Sequence, residues 1–122
     1  MNIIKIELPL VPPSVNACYR SYKNRVYKSK KYREFEKEMN TYFENNKYEM
    51  LEGTLALDVT FYIKGRDKDI DNLLKALIDT LEGNVFENDK HIIDLHARKV
   101  NKCTSNRTVI ILKTIDTHNH ED

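Results

Sequence analysis

Between Asp67 and Gly83 the apolar residues Ile70, Leu73, Leu74, Leu77, Ile78 and Leu81 recur at i, i+3, i+4, i+7, i+8 and i+11, the spacing of a helix that buries one face. No other stretch constrains the chain as much, because both ends of this one are also marked. Gly83 stands just past the last periodic residue, where a left-handed residue closes a helix. The acidic run in front offers an N-cap and suits the positive end of the helix dipole. The spacing predicts a helix over about 69–82.

The other face of that helix is polar. At roughly 100° per residue, Asp71, Asn72, Lys75, Asp79 and Glu82 share one stripe, with Asp71 and Lys75 a turn apart. Asp69, at or before the N-cap, has non-helical dihedrals, so its carboxylate is free to turn toward Asp71. Two readings stay open. The aspartates can be caps, and Asp71–Lys75 an ordinary surface pair worth roughly 0.2–0.5 kcal/mol; or two carboxylates converge at a helix start to do chemistry.

The rest of the chain bears on that choice. With 122 residues and 40% hydrophobic content, residues 1–122 make one domain with a real core. Net charge is only +1, but Arg20, Lys23, Arg25, Lys28, Lys30, Lys31 and Arg33 fall within residues 20–33 with no acid among them, leaving 13 basic against 19 acidic residues elsewhere. Such polarisation suits a region that faces a polyanion. Tyr19, Tyr22, Tyr27 and Tyr32 interleave with these cations, as in a loop that contacts phosphates and packs on bases. A solvated hairpin with snorkelling lysines has the same composition. Cys18 and Cys103 show no metal-ligand spacing and no disulfide framework, which fits reduced thiols in the cytoplasm. No apolar run is long enough to span a membrane.

In order, Ile3, Ile4, Ile6, Leu8 and Leu10 read as a strand stopped by Pro12-Pro13. Tyr32, Phe35, Met39, Tyr42 and Phe43 keep helical spacing, with Ser29 as N-cap, over about 29–46. Thr54–Lys64 is the clearest strand, with Leu55, Leu57, Val59, Phe61 and Ile63 on one face. Asn84 to His91 reads as a polar turn around one hydrophobic anchor. Ile93, Leu95 and Ala97 alternate with Asp94, His96 and Arg98 in another strand, and Thr108–Leu112 forms the last. Residues 114–122 read as a flexible polar tail, where His118 and His120 lack the apolar support of a metal site. The expected fold is α+β (mixed α/β): a single small domain with an about four-stranded mixed sheet packed against two main helices.

A third acid, Asp89, follows the acidic helix. If the turn returned it to Asp69 and Asp71, three carboxylates would repel unless a cation neutralised them. An all-oxygen pocket of that kind suits Mg²⁺ or Mn²⁺, which can activate water against a phosphodiester. Lys75 could contact the scissile phosphate.

These blocks resemble the RusA family of Holliday junction resolvases. The residues that carry the resemblance are Pro13-Ser14-Val15-Asn16 with Tyr19 and Tyr27-Lys28-Ser29, then Asp69-Ile70-Asp71-Asn72 with Lys75 and Asp79-Thr80-Leu81, then Asn88-Asp89-Lys90-His91-Ile92 with Lys99. The resemblance implies metal-binding catalytic aspartates at Asp69, Asp71 and Asp89, an essential Lys75, Mg²⁺ or Mn²⁺ as cofactor, and a homodimer that cuts four-way DNA junctions in recombination and repair. Many relatives have two aspartates where this chain has Asn88-Asp89, so the role passes to Asp89. Asp67 lies outside the motif and is expected to be exposed. Asn16, Arg20, Lys23, Arg25, Lys28, Lys30 and Lys31 are the expected DNA-backbone contacts. A broader nuclease of branched or flap DNA, or a non-catalytic branched-DNA-binding module, would use the same features.

Overall fold

Strand β4, Leu55–Tyr62, carries apolar or buried residues on both faces. Leu55, Leu57, Val59 and Phe61 are fully buried on one side, and Ala56 and Thr60 are nearly so on the other. Such a strand belongs in the interior of a sheet, not at its edge. The computed structural model, which describes residues 2–14, 19–23 and 25–115, places it there. Strand β6, Arg107–Thr114, runs antiparallel along one edge of β4, and β5, Ile92–Val100, runs parallel along the other. Strand β1, Ile3–Leu8, joins the outside of β6, so the order is β1-β6-β4-β5. The fold class is the expected one: α+β, with a four-stranded mixed sheet and two helices.

A parallel neighbour needs a crossover, and helix α2, Ile70–Leu81, supplies it between β4 and β5. Its Leu73, Ala76, Leu77 and Leu81 are buried in the same core as Tyr32, Phe35, Met39 and Phe43 of helix α1, Lys30–Asn45. The sheet contributes Ile4, Ile6, Leu8, Leu57, Val59, Phe61, Ile110 and Leu112 to that core. Ser29 caps α1 as its sequence position predicts, its hydroxyl accepting from the Tyr32 N–H at 3.2 Å. Gly83 takes φ +83° just beyond α2, the left-handed closure that glycine makes without strain.

Four local readings change. Strand β1 ends at Leu8, not Leu10; Pro9 has no N–H to continue a ladder. Val85 and Phe86 are both buried, so the turn after α2 has two anchors, and the Val85 carbonyl accepts from Leu51 N at 2.9 Å. Ile93 and Leu95 of β5 are 53% and 46% exposed; alternation is present, but neither helix reaches over this edge. The basic segment is a hairpin, β2 Tyr19–Tyr22 paired antiparallel with β3 Arg25–Lys28 around Lys23 at φ +48°. The tail from 116 onward, with His118 and His120, lies outside the described residues.

Candidate active site at the start of helix α2

The exit from β4 is tied down before α2 begins. The Ile63 N–H donates to Val100 O at 2.8 Å, and Lys64 N–H to Asn106 Oδ1 at 2.7 Å. Gly65 then turns the chain at φ +87°. Lys99, on β5 beside Phe61, reaches back over the end of the sheet: its ammonium donates to Asp67 Oδ1 at 2.7 Å and to the Lys68 carbonyl at 2.9 Å. The Lys99 ammonium, helped by the Lys68 N–H, holds the Asp67 carboxyl below the usual carboxylate range. Asp67 is exposed as expected, and it serves as an anchor for the loop that presents Asp69.

Asp69 occupies the N-cap position, with φ −69° and ψ 130°, but its side chain makes no capping bond. This differs from the expectation that the acidic run caps the helix. The Asp69 carbonyl still accepts the first helical bond, from Leu73 N at 3.3 Å. Two residues on, Asp71 is exposed in the first turn, and its Oδ1 accepts from the Asn72 N–H at 2.9 Å. Two carboxylates therefore stand at one positively polarised helix end, on backbone that β5 holds in place.

Cations approach from the other side. Lys68 is half-buried, and its ammonium pKa is lowered, first by burial and then by the nearby Lys31. Both lysines line a shallow cavity of about 220 Å³ with Leu10, Val11, Pro13, Glu34, Phe35 and Glu38. The fold thus joins the first motif block, through Pro13, and the basic segment, through Lys31, to the loop that leads into α2. Lys28 pairs with Glu36 at 3.1 Å and lies 5.5 Å from the Tyr32 ring centre; Lys30 pairs with Glu34 at 3.9 Å. Lys23 is exposed at the hairpin turn. In the hairpin backbone, Arg20 pairs with Tyr27 and Arg25 with Tyr22. Asn16 lies outside the described residues.

Lys75 leans away from Asp71. Its ammonium pairs with Asp79 at 3.9 Å and is two-thirds exposed, so the expected Asp71–Lys75 neighbourhood is replaced by a pair one turn further on.

Asp89 is exposed in a 3-10 turn, Asp89–His91, that leads into β5. Its N–H donates to Glu82 Oε2 at 3.1 Å, and Glu82 is the C-cap of α2. Eleven residues of helix separate Asp71 from Glu82, on the order of 16 Å along the axis. Asp89 therefore sits at the opposite end of α2 from Asp69 and Asp71. The cause is the parallel pairing of β4 and β5: the crossover helix starts where β4 finishes and ends where β5 starts. Among the described residues no three His, Cys, Asp or Glu side chains lie together closely enough to hold a metal. The expected convergence of three carboxylates does not occur within one chain. Asn88, in place of an acid, caps the 3-10 turn by accepting from the Lys90 N–H at 2.9 Å.

The pair that does converge fits a hard divalent ion. Mg²⁺ commonly takes one or two carboxylates, keeps several waters and draws its remaining oxygens from substrate phosphate, and Asp69 and Asp71 are exposed in that way. Sequence reasoning passed over Lys68 and the Lys99–Asp67 tie. The one visible signal was Lys99 at the end of a motif block. A family model described as Endodeoxyribonuclease RusA matches residues 9–113. No curated protein matches the chain.

Proposed function

The chain belongs to the RusA endodeoxyribonuclease family, and from that premise we propose that it resolves four-way DNA junctions in recombination and repair, with Mg²⁺ or Mn²⁺ as cofactor. The observation that carries this reading is the exposed Asp69–Asp71 pair on a tied helix start, flanked by Lys68 and Lys31. Asp69 and Asp71 hold the divalent ion, leaving room for water and for a phosphate oxygen of the DNA. When bound, such an ion makes water acidic enough to attack phosphorus and offsets charge on the leaving oxygen. Lys68 and Lys31 hold phosphates beside the cleaved one, and Lys75, one turn up α2, neutralises charge at the rim. Asn16, Arg20, Lys23, Arg25, Lys28 and Lys30 extend the contact along the DNA backbone, which positions the duplex without reading its sequence.

A junction has strands related by a two-fold axis, and both must be nicked, so the working unit is a homodimer of this single domain. No described helix is long and apolar enough to cross a membrane, and Cys103 is a free thiol; we place the protein in the cytoplasm with its DNA. The test is a synthetic four-way junction incubated with protein and Mg²⁺. Paired symmetric nicks are expected. Degradation of flaps and duplex alike would make this a broader nuclease, and a shifted but uncut band would make it a binding module.

A further inference from the structure

We propose that two copies pair antiparallel through the outer edges of β5, so that Asp89 of the partner subunit completes the site that Asp69 and Asp71 begin. The inference rests on the nuclease reading for the purpose of the site, and on the strand alone for the interface.

Strand β5 is bonded to β4 on one side only. Val100 O accepts from Ile63 N, so by alternation Leu95, Ala97 and Lys99 turn their backbone groups outward. A nine-residue edge with exposed Ile93 and Leu95 is an adhesive surface that native proteins cover or blunt. The other sheet edge, β1, differs: its Ile4, Ile6 and Leu8 are already buried.

The sequence of β5 is complementary to itself when reversed. Pairing centred on His96 sets Leu95 against Ala97 of the partner subunit as the hydrogen-bonded pair, which is the parity that the outward groups require. Asp94 then faces Arg98 of the partner subunit on the open side of the sheet, a cross-strand pair of opposite charge. The commitment to a second copy as occupant comes from this charge match.

The same axis resolves the misplaced carboxylate. A two-fold axis perpendicular to the joined sheets leaves both helix layers on one face. Because the partner's strand runs the other way, its start lies beside the end of β5, where Lys99 ties the loop that carries Asp69. Asp89 precedes β5 by one turn and lies toward the helix layer through its bond to Glu82. Asp89 of the partner subunit therefore comes to the start of α2, and the two composite sites open on one face. Lys99 lies three residues from the axis, which puts the two Lys99 positions roughly 20 Å apart, a spacing for two strands of one junction.

Two measurements test this. With Cys18 and Cys103 changed to Ser, His96→Cys faces its own copy at about 4.5 Å between Cα atoms, within disulfide range, and mild oxidation should give a covalent dimer on a non-reducing gel. Absence of that band overturns the strand pairing. Separately, Asp71→Asn and Asp89→Asn, each inactive alone, are co-expressed. In a composite arrangement each mixed dimer has one intact site and one site with both defects, so nicking returns to roughly a quarter of wild type under random pairing. No recovery overturns the shared site even if the cross-link forms. If the wild-type protein cuts no DNA, the nuclease reading fails, and the cross-link still decides the interface.

Discussion

Asp71→Asn separates what the acid does for the helix from what it does for cleavage. The Asn72 N–H bonds Asp71 Oδ1, and asparagine keeps an oxygen there, so the substitution removes charge and leaves the local geometry. A negative charge in the first turn of α2 contributes about 0.3–1 kcal/mol against the helix dipole, which for a chain of this size moves Tm by about 1–5 °C. Losing a carboxylate that holds the ion is a different scale of loss. Several kcal/mol of transition-state stabilisation go with it, and at 1.36 kcal/mol per decade about 3–4 kcal/mol becomes a 10²- to 10³-fold slower nick. Junction affinity in a gel shift should hold, because Lys31 and the hairpin cations are untouched. The assay is single-turnover cleavage of a labelled four-way junction at saturating Mg²⁺, with thermal unfolding in parallel. Cleavage within tenfold of wild type would refute the assignment, and a Tm drop beyond 10 °C would show that Asp71 is structural.

Lys99→Met should release the loop from Asp67 and the Lys68 carbonyl, slow cleavage by about 10- to 100-fold through misplacement of Asp69, and speed amide exchange at Lys68 and Asp69; unchanged exchange would remove the anchoring role. Lys31→Ala should weaken junction binding and lower the slope of log K against log salt by about one, and an unchanged slope would return Lys31 to the solvent. Arg98 holds the Asp58 carboxyl below its ordinary value through bonds of 2.8 and 3.1 Å. The unfolded chain therefore takes up that proton first, so the contribution is full above the ordinary carboxylate range and disappears as pH falls through the folded value. Asp58→Asn should lower the urea midpoint at pH 6 and match wild type in strong acid; a gap that persists in acid would contradict the ion pair. Phe86→Ala, at a fully buried site, should cost about 3–5 kcal/mol by urea unfolding, and a loss below 1 kcal/mol would mean that the turn after α2 is not anchored.

The periodic segments could be read from sequence because burial writes its own spacing: α2, α1 and β4 fall where their apolar residues place them. Pairing partners leave no such trace. Nothing in Ile92–Val100 says that it runs parallel to β4, and that direction alone decides which end of α2 receives Asp89. Had β5 been antiparallel to β4, the three carboxylates could have met in one chain. Asp69 and Asp71 were visible as a pair because one short stretch holds both. Lys68 and Lys99 were not, since a lysine that leans on a carbonyl or a hydrophobic wall looks like any other until the third dimension brings its neighbour.

The order of the strands also bears on synthesis. Strand β1 touches the sheet only through β6, which is made about a hundred residues later. Until Arg107 to Thr114 leave the ribosome, Ile4, Ile6 and Leu8 have no backbone to pair with, and β4 has one bare flank. The nascent polypeptide must carry its greasy first strand unpartnered almost to release, a window in which chaperone capture competes with premature sticking.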